Sequence, residues 1–148
     1  MAMPDTVRTP SDISWYLVAL GVEPGGTLLV HASYRSIRPV AGGLNGLIQA
    51  LFLMLGRDGT LAKPCWSGDR GALFDAETTP TSEVLGALAE SFRRFPGVQR
   101  GRHRFAFAAM SPKAREDLAD PICPPWRRQS RGSDQEPGRT GFSFGRFV

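Results

Sequence analysis

The chain has 148 residues, of which 41% are hydrophobic and 22% are charged, and these values are typical of one soluble globular domain. The most apolar segment, residues 47–55, is too short to cross a bilayer and is interrupted by Gln49, so we expect no membrane span. The formal net charge of +4 is concentrated in residues 121–148, where five arginines face two acidic residues. This basic balance leaves nucleic acid and anionic small molecules as partners to consider.

The two cysteines, Cys65 and Cys123, form neither a disulfide framework nor a metal-ligand spacing. No basic-then-apolar signal region is present before the first predicted helix. We therefore expect a cytoplasmic protein with free thiols and without a metal ion. No histidine and acid are arranged around Cys65 in the sequence, which argues against a thiol nucleophile.

The first part of the chain alternates helices and strands. Residues 1–8 carry no pattern and predict a frayed end. Thr9 as N-cap, followed by a proline and an acid in the first turn, predicts a helix that ends near Gly21. The continuous apolar run from Leu28 to Val30 predicts a strand over 27–31 that is buried on both faces. Apolar residues at helical spacing then predict an amphipathic helix over 43–55.

A second strand begins at Thr60 and is ended, or placed at a sheet edge, by Pro64. Strand, helix and strand in this order imply a right-handed parallel crossover. Residues 64–80 form a long irregular stretch, a feature that in a compact domain is usually functional or mobile. The remaining elements are a helix over 81–95, a strand over 105–109 and a short helix over 111–120. The sequence predicts an α/β fold with a mainly parallel sheet.

The character of the sequence changes at Pro121. Residues 121–148 show neither a strand period nor a helix period and are rich in proline, glycine and arginine, which argues against packed structure. The whole chain has 16 arginines and two lysines, a ratio that suits a GC-rich gene. We interpret 1–120 as the folded part and 121–148 as a tail that is disordered or read out of frame. A shift of the reading frame near the Asp120 codon tests this hypothesis.

The polar loop after the first strand is the strongest candidate site. Hydrogen-bonding side chains follow the strand at His31, Ser33, Arg35 and Ser36, and Gly42-Gly43 precedes the next helix. In open α/β sheets, ligands bind outside the carboxyl ends of the strands, and a helix N-terminus there suits phosphate. The same residues also fit an ordinary crossover corner, in which His31 caps the strand and the glycines serve the turn. Spacing alone does not choose between the two interpretations.

Three segments of this loop resemble the signature of the aminoglycoside N-3-acetyltransferases. They are Val30-His31-Ala32-Ser33, Ser36-Ile37 and Pro39-Val40-Ala41-Gly42-Gly43. The chain departs from the family pattern at Arg38, where members usually have glycine. The pattern can be followed over residues 11–120, including Phe92-Arg93 and Arg102-His103. This resemblance implies a layered α/β/α fold that is incomplete relative to the family, because the histidine and acid that serve as the catalytic base lie in a second half that is not found here.

The resemblance implies a reaction and a set of binding residues. Family members transfer an acetyl group from acetyl-CoA directly to the 3-amino group of 2-deoxystreptamine antibiotics. The residues implied in acetyl-CoA binding are His31, Ser33, Arg35, Ser36, Val40, Gly42 and Gly43. The residues implied in facing the polycationic antibiotic, a ligand that carboxylates suit, are Trp66, Asp69 and Asp75. A solvated loop with a structural tryptophan is the alternative for that segment, and no residue is assigned as catalytic.

Two other function classes compete with a truncated acetyltransferase that confers antibiotic resistance. One is a small basic protein whose arginine-rich tail contacts nucleic acid, with an affinity that falls steeply with salt. The other is a pseudogene product without function. His103 lies among three arginines, but a solvated basic turn before a strand accounts for that cluster better than a nucleic-acid patch. The sequence assigns no oligomeric state.

Overall fold

A computed structural model of the chain describes residues 6–68, 71 and 73–112. The expectations for residues 121–148, for Asp69 and for nearly all of the predicted helix over 111–120 lie outside the described residues. The described elements, in chain order, are α1 (Pro10–Ala19), β1 (Thr27–Leu29), α2 (Tyr34–Ile37), α3 (Gly43–Leu55), β2 (Thr60–Pro64), a 3₁₀ turn (Glu83–Leu85), α4 (Gly86–Arg93), β3 (Gln99–Arg100) and β4 (Phe107–Met110).

These strands form one four-stranded sheet in the order β1-β2-β4-β3. The parallel crossover is confirmed, because β1 and β2 pair in parallel with Leu28 opposite Leu61. The expectation of a mainly parallel sheet is wrong over the described residues, since β4 runs antiparallel to both β2 and β3. The short connection between β3 and β4 explains part of this, because a parallel pair needs a crossover of about a dozen residues or more. The α/β class is confirmed, with a mixed sheet.

The helices of the described chain pack on one face of this sheet. Helices α1 and α4 both contact α3, and α3 and α4 both lie against β2. The buried apolar side chains between them include Leu47, Ile48, Leu51, Leu55, Leu61, Leu88 and Phe92. The opposite face of the sheet carries Ala62 and Ala109, which are buried as a separate pair, and Leu29, which is exposed. The helix layer thus covers the face from which Leu28 and Leu61 project.

Helix α1 begins as the sequence predicts. The Thr9 hydroxyl accepts a hydrogen bond from the Asp12 N–H at 3.3 Å, and the Asp12 carboxylate accepts one from the Thr9 N–H at 2.7 Å. This reciprocal capping lowers the pKa of Asp12. The predicted frayed end is wrong at Arg8, because its N–H donates to Pro39 O at 2.9 Å. No helix among the described residues is both long and apolar enough to span a membrane.

Candidate functional site

Two loops leave neighbouring strands at the same edge of the sheet. Strands β1 and β2 are parallel and adjacent, so their carboxyl ends open onto one region. The first loop, residues 30–42, leads from β1 through α2 to α3, and the second loop, residues 65–82, leads from β2 to the 3₁₀ turn. The first loop starts against β2, because Val30 N–H donates to Ala62 O at 2.9 Å, and β2 continues for two more residues before the second loop starts. Ligands of open α/β sheets bind at such an edge.

The side chains predicted to contact acetyl-CoA lie on the exposed side of the first loop. His31, Ser33, Arg35 and Ser36 are all exposed. Ser33 precedes α2, and its hydroxyl makes no capping hydrogen bond to that short helix. The structure thus presents two hydroxyls and one guanidinium within a single turn of chain.

Val40 and the two glycines present no exposed side chain at this loop. The Val40 side chain is buried in the core, so only its backbone faces the turn, where its carbonyl accepts from the Gly43 N–H at 2.9 Å. Gly42 and Gly43 both have positive φ, at 75° and 64°. Residues with a Cβ rarely adopt this conformation, which accounts for two consecutive glycines before α3. Helix α3 has 13 residues, and its first N–H groups lack intrahelical acceptors.

Residues that the sequence did not single out fix the position of the first loop. The guanidinium of Arg8 donates to Ile37 O at 2.5 Å and to Arg38 O at 3.3 Å. Gly46 in α3 lies so close to the loop that a Cβ there would be 1.9 Å from Ala41 O. The glycine therefore permits the contact between α3 and the loop. No local pattern signals either residue, because each acts on a backbone atom that is distant along the chain or across the turn.

The second loop contains two of the predicted acceptor-facing residues. Trp66 is half-buried and packs against the core, and its carbonyl accepts from the Ser82 N–H at 2.8 Å, which closes the loop at its base. Asp75 is exposed, but its Oδ1 accepts from Glu77 N–H at 2.9 Å and from Thr78 N–H at 2.7 Å. These hydrogen bonds, with that of the Thr78 hydroxyl, lower the pKa of Asp75. Asp75 thus organises a turn and keeps its charge.

A charged cluster lies beneath the second loop, and we call Glu90, Arg93 and Arg100 the arginine brace. Arg93 is buried and pairs with Glu90, with Nε–Oε2 at 3.1 Å. Glu90 Oε2 also accepts from the Thr81 N–H at 2.9 Å. The hydrogen bonds from Arg93 are the largest cause that lowers the pKa of Glu90 to about 2. Arg100 Nε donates to Cys65 O at 2.8 Å. The sequence analysis did not predict these contacts.

Two further buried groups lie on β2 and just after it. Cys65 is fully buried, and burial raises the pKa of its thiol to about 11, which agrees with the expectation that it is no nucleophile. Lys63 is 3% exposed, and burial lowers the pKa of its ammonium group. Among the described residues, no group of three histidine, cysteine or acidic side chains could hold a metal ion.

Comparison with known proteins assigns the chain to a family. The model of the family described as aminoglycoside 3-N-acetyltransferase matches residues 29–123. The chain belongs to this family. The resemblance inferred from the loop before α3 is therefore confirmed.

Aminoglycoside N(3)-acetyltransferase IV of Salmonella sp is 49% identical over 106 residues, a match that spans 72% of this chain and 41% of that relative. Aminoglycoside N(3)-acetyltransferase IX of Micromonospora chalcea is 33% identical over 132 residues, which span 76% of this chain and 47% of that relative.

Solved structures agree with this assignment. The apoenzyme of aminoglycoside acetyltransferase AAC(3)-IVa superposes with a TM-score of 0.79 at 41% identity, over 85% of this chain and 52% of that one. A variant of the same enzyme in complex with apramycin superposes with a TM-score of 0.77 at 43% identity, over 86% of this chain and 54% of that one. The chain spans 41 to 47% of the length of the first curated relatives that it matches.

Proposed function

We propose that this chain provides the acetyl-CoA loop and the acceptor loop of an aminoglycoside 3-N-acetyltransferase. The observation that carries the proposal is the adjacency of two loops at one sheet edge, within the 29–123 segment that matches the family model. Residues 30–43 are assigned to the donor, and residues 65–82 to the acceptor.

The residues of the first loop fit a donor that carries phosphate and amide groups. Ser33, Ser36 and Arg35 are exposed side chains that donate hydrogen bonds. The turn at Gly42 allows the backbone to approach a ligand closely just before α3. Acetyl-CoA supplies the thioester. This chain supplies the hydrogen-bond donors that bind and orient it.

The second loop offers carboxylates to a polycation. Asp75 and Glu77 are both exposed, and the hydrogen bonds to Asp75 among the described residues use Oδ1, which leaves Oδ2 to accept from a ligand. In the transfer, the amine nitrogen forms a bond to the acetyl carbon, the carbon–sulfur bond breaks, and a proton leaves the amine. We assign no described residue as the base that takes this proton. The carboxylates bind and orient the ammonium groups.

Calorimetry of the full chain with acetyl-CoA, alone and with apramycin, tests the proposal, and release of free CoA thiol measures turnover. We expect Arg35→Gln to weaken acetyl-CoA binding about tenfold, because one charge-assisted hydrogen bond is lost. Arg57→Gln is the matched control, because Arg57 is an exposed arginine after the opposite end of α3. Absence of acetyl-CoA binding by the folded chain, or equal losses in both variants, would contradict the assignment.

We also propose that residues 121–148 do not belong to the acetyltransferase part of the chain. The match to the family model ends at residue 123, close to the change in composition at Pro121. Reading the coding DNA in the other two frames from the Asp120 codon tests this boundary. A family-like continuation in one frame would support it, and the lack of one in both frames would contradict the out-of-frame origin.

A further inference from the structure

The arginine brace holds the second loop through its backbone. The Arg93 guanidinium, which is bound to Glu90, also donates to Glu77 O. Glu90 accepts from the Thr81 N–H and from the Thr81 hydroxyl, at 2.9 and 3.1 Å. These contacts end on main-chain groups of the loop or on the Thr81 hydroxyl. The arginine brace therefore holds the loop without using the carboxylates of Asp75 and Glu77.

Arg100 connects the two ends of the same loop. Its Nε donates to Cys65 O at 2.8 Å, and its Nη1 donates to Thr79 O. The guanidinium also lies over the Phe74 ring, 4.8 Å from the ring centroid. Its Nη2 is buried and has no hydrogen-bond partner among the described residues. One side chain thus contacts the beginning, the middle and the end of residues 65–82.

Stability alone accounts poorly for this arrangement. Arg93 is buried, and Glu90 and Arg100 are half-buried. Removing charged groups from water is costly, and such an ion pair is often no more stabilising than apolar residues of the same volume. The charged groups instead fix geometry, because a planar guanidinium holds the oxygens that it binds in defined positions. Here two of those oxygens, on Glu77 and Thr79, lie just after Asp75 in the chain.

We propose that Glu90, Arg93 and Arg100 are positioning residues that determine how the second loop presents its carboxylates to the acceptor. The inference rests on the proposed function of that loop. The segment between the carbonyls bound by Arg93 and Arg100 includes Glu77 and follows Asp75 closely. A shift of this segment moves the carboxylates away from the ammonium groups they would pair with, and small misplacements have large effects on reactions that depend on geometry.

The positive charge of Arg100 makes the test selective. Removal of an arginine close to a polycation site should strengthen binding if the arginine acts only through its charge. Positioning predicts the opposite sign. We therefore compare Arg100→Met with Arg94→Met in the full chain. Arg94 also pairs with Glu90, with Nε–Oε1 at 2.8 Å, but its side chain is 69% exposed and donates no hydrogen bond to the described residues of the second loop.

The assay is calorimetric titration of each variant with apramycin and, separately, with acetyl-CoA, with thermal unfolding as the check on folding. We expect Arg100→Met to weaken apramycin binding about tenfold and to leave acetyl-CoA binding within about twofold. Arg94→Met should bind apramycin as the parent chain does or slightly more tightly. Arg100→Lys, which keeps the charge and can donate hydrogen bonds but lacks the planar fork, should recover part of the affinity.

The outcomes distinguish failure of the proposed function from failure of the positioning role. If the parent chain binds neither ligand, the proposed function fails, and the positioning role falls with it. If the parent chain binds both ligands and Arg100→Met binds apramycin equally well or better, the positioning role alone is refuted. An equal loss of both ligands in Arg100→Met and in Arg100→Lys, together with a lowered unfolding temperature, also refutes it in favour of a structural role. Selective loss of apramycin binding supports the positioning role.

Discussion

Replacement of Lys63 by methionine should stabilise the protein. Lys63 is 3% exposed and lies opposite Ala108 in the sheet, and burial lowers the pKa of its ammonium group. No hydrogen bond or ion pair is assigned to that group within the described residues. Methionine has a similar length and no charge, so the desolvation cost disappears while the packing is kept. We expect the free energy of unfolding to rise by about 1–3 kcal/mol.

The stability difference between Lys63→Met and the parent protein should depend on pH. Between the lowered pKa of the folded state and the ordinary value of 10.5, the unfolded chain binds more protons, so the stability of the parent protein rises with pH in that range. Lys63→Met abolishes this contribution, and its advantage should therefore shrink as the pH is raised from neutral towards the ordinary lysine pKa.

Urea unfolding of the parent protein, Lys63→Met and the exposed control Arg57→Met, at about pH 7 and about pH 9.5, measures both effects, with the control within about 0.5 kcal/mol of the parent. A loss of stability in Lys63→Met at neutral pH, or an advantage that grows with pH, would refute the reasoning.

Three further changes test other parts of the structure. Glu90→Gln should lower the free energy of unfolding by about 1–2 kcal/mol at neutral pH, because the ion pair with Arg93 is lost but solvent screens the partly exposed carboxylate. This contribution is present above pH 4.5 and is lost as the pH falls towards about 2. The difference between the variant and the parent protein in urea unfolding should therefore shrink in acid. Gly46→Ala places a Cβ 1.9 Å from Ala41 O and should cost about 3 kcal/mol in the same assay. Cys65, with a pKa of about 11, should react with a thiol reagent in mildly alkaline buffer only as fast as the protein unfolds, measured in a Cys123→Ser background; rapid labelling of the folded protein would contradict its burial.

The parts of the fold that the sequence predicted are those that depend on neighbouring residues. Thr9 and Asp12 cap each other across a single turn, so their spacing alone locates the start of α1. The crossover from β1 through α3 to β2 follows from apolar periodicity and from a rule of handedness that holds without knowledge of distant contacts. The positive φ of Gly42 is likewise a local property that a glycine pair signals.

The parts that the sequence did not predict depend on contacts between distant residues. Strand β3 has two residues, Gln99 and Arg100, and it exists only because β4 pairs with it. Arg93 and Arg100 bind main-chain carbonyls, which every residue carries, so no residue type along the loop indicates where these bonds form. The i,i+3 spacing of Glu90 and Arg93 on α4 allows them to pair, but it does not indicate the loop that the two arginines hold.

Asp75 shows why the charge of a loop residue does not by itself define its role. Its carboxylate is predicted to face a polycation, and it also shapes a turn through three hydrogen bonds to Oδ1. The turn and the arginine brace together fix the backbone of this segment, while side chains such as Leu73, which is 98% exposed, take no part in holding it. Substitutions at such exposed positions can therefore change what the loop contacts without changing where it lies.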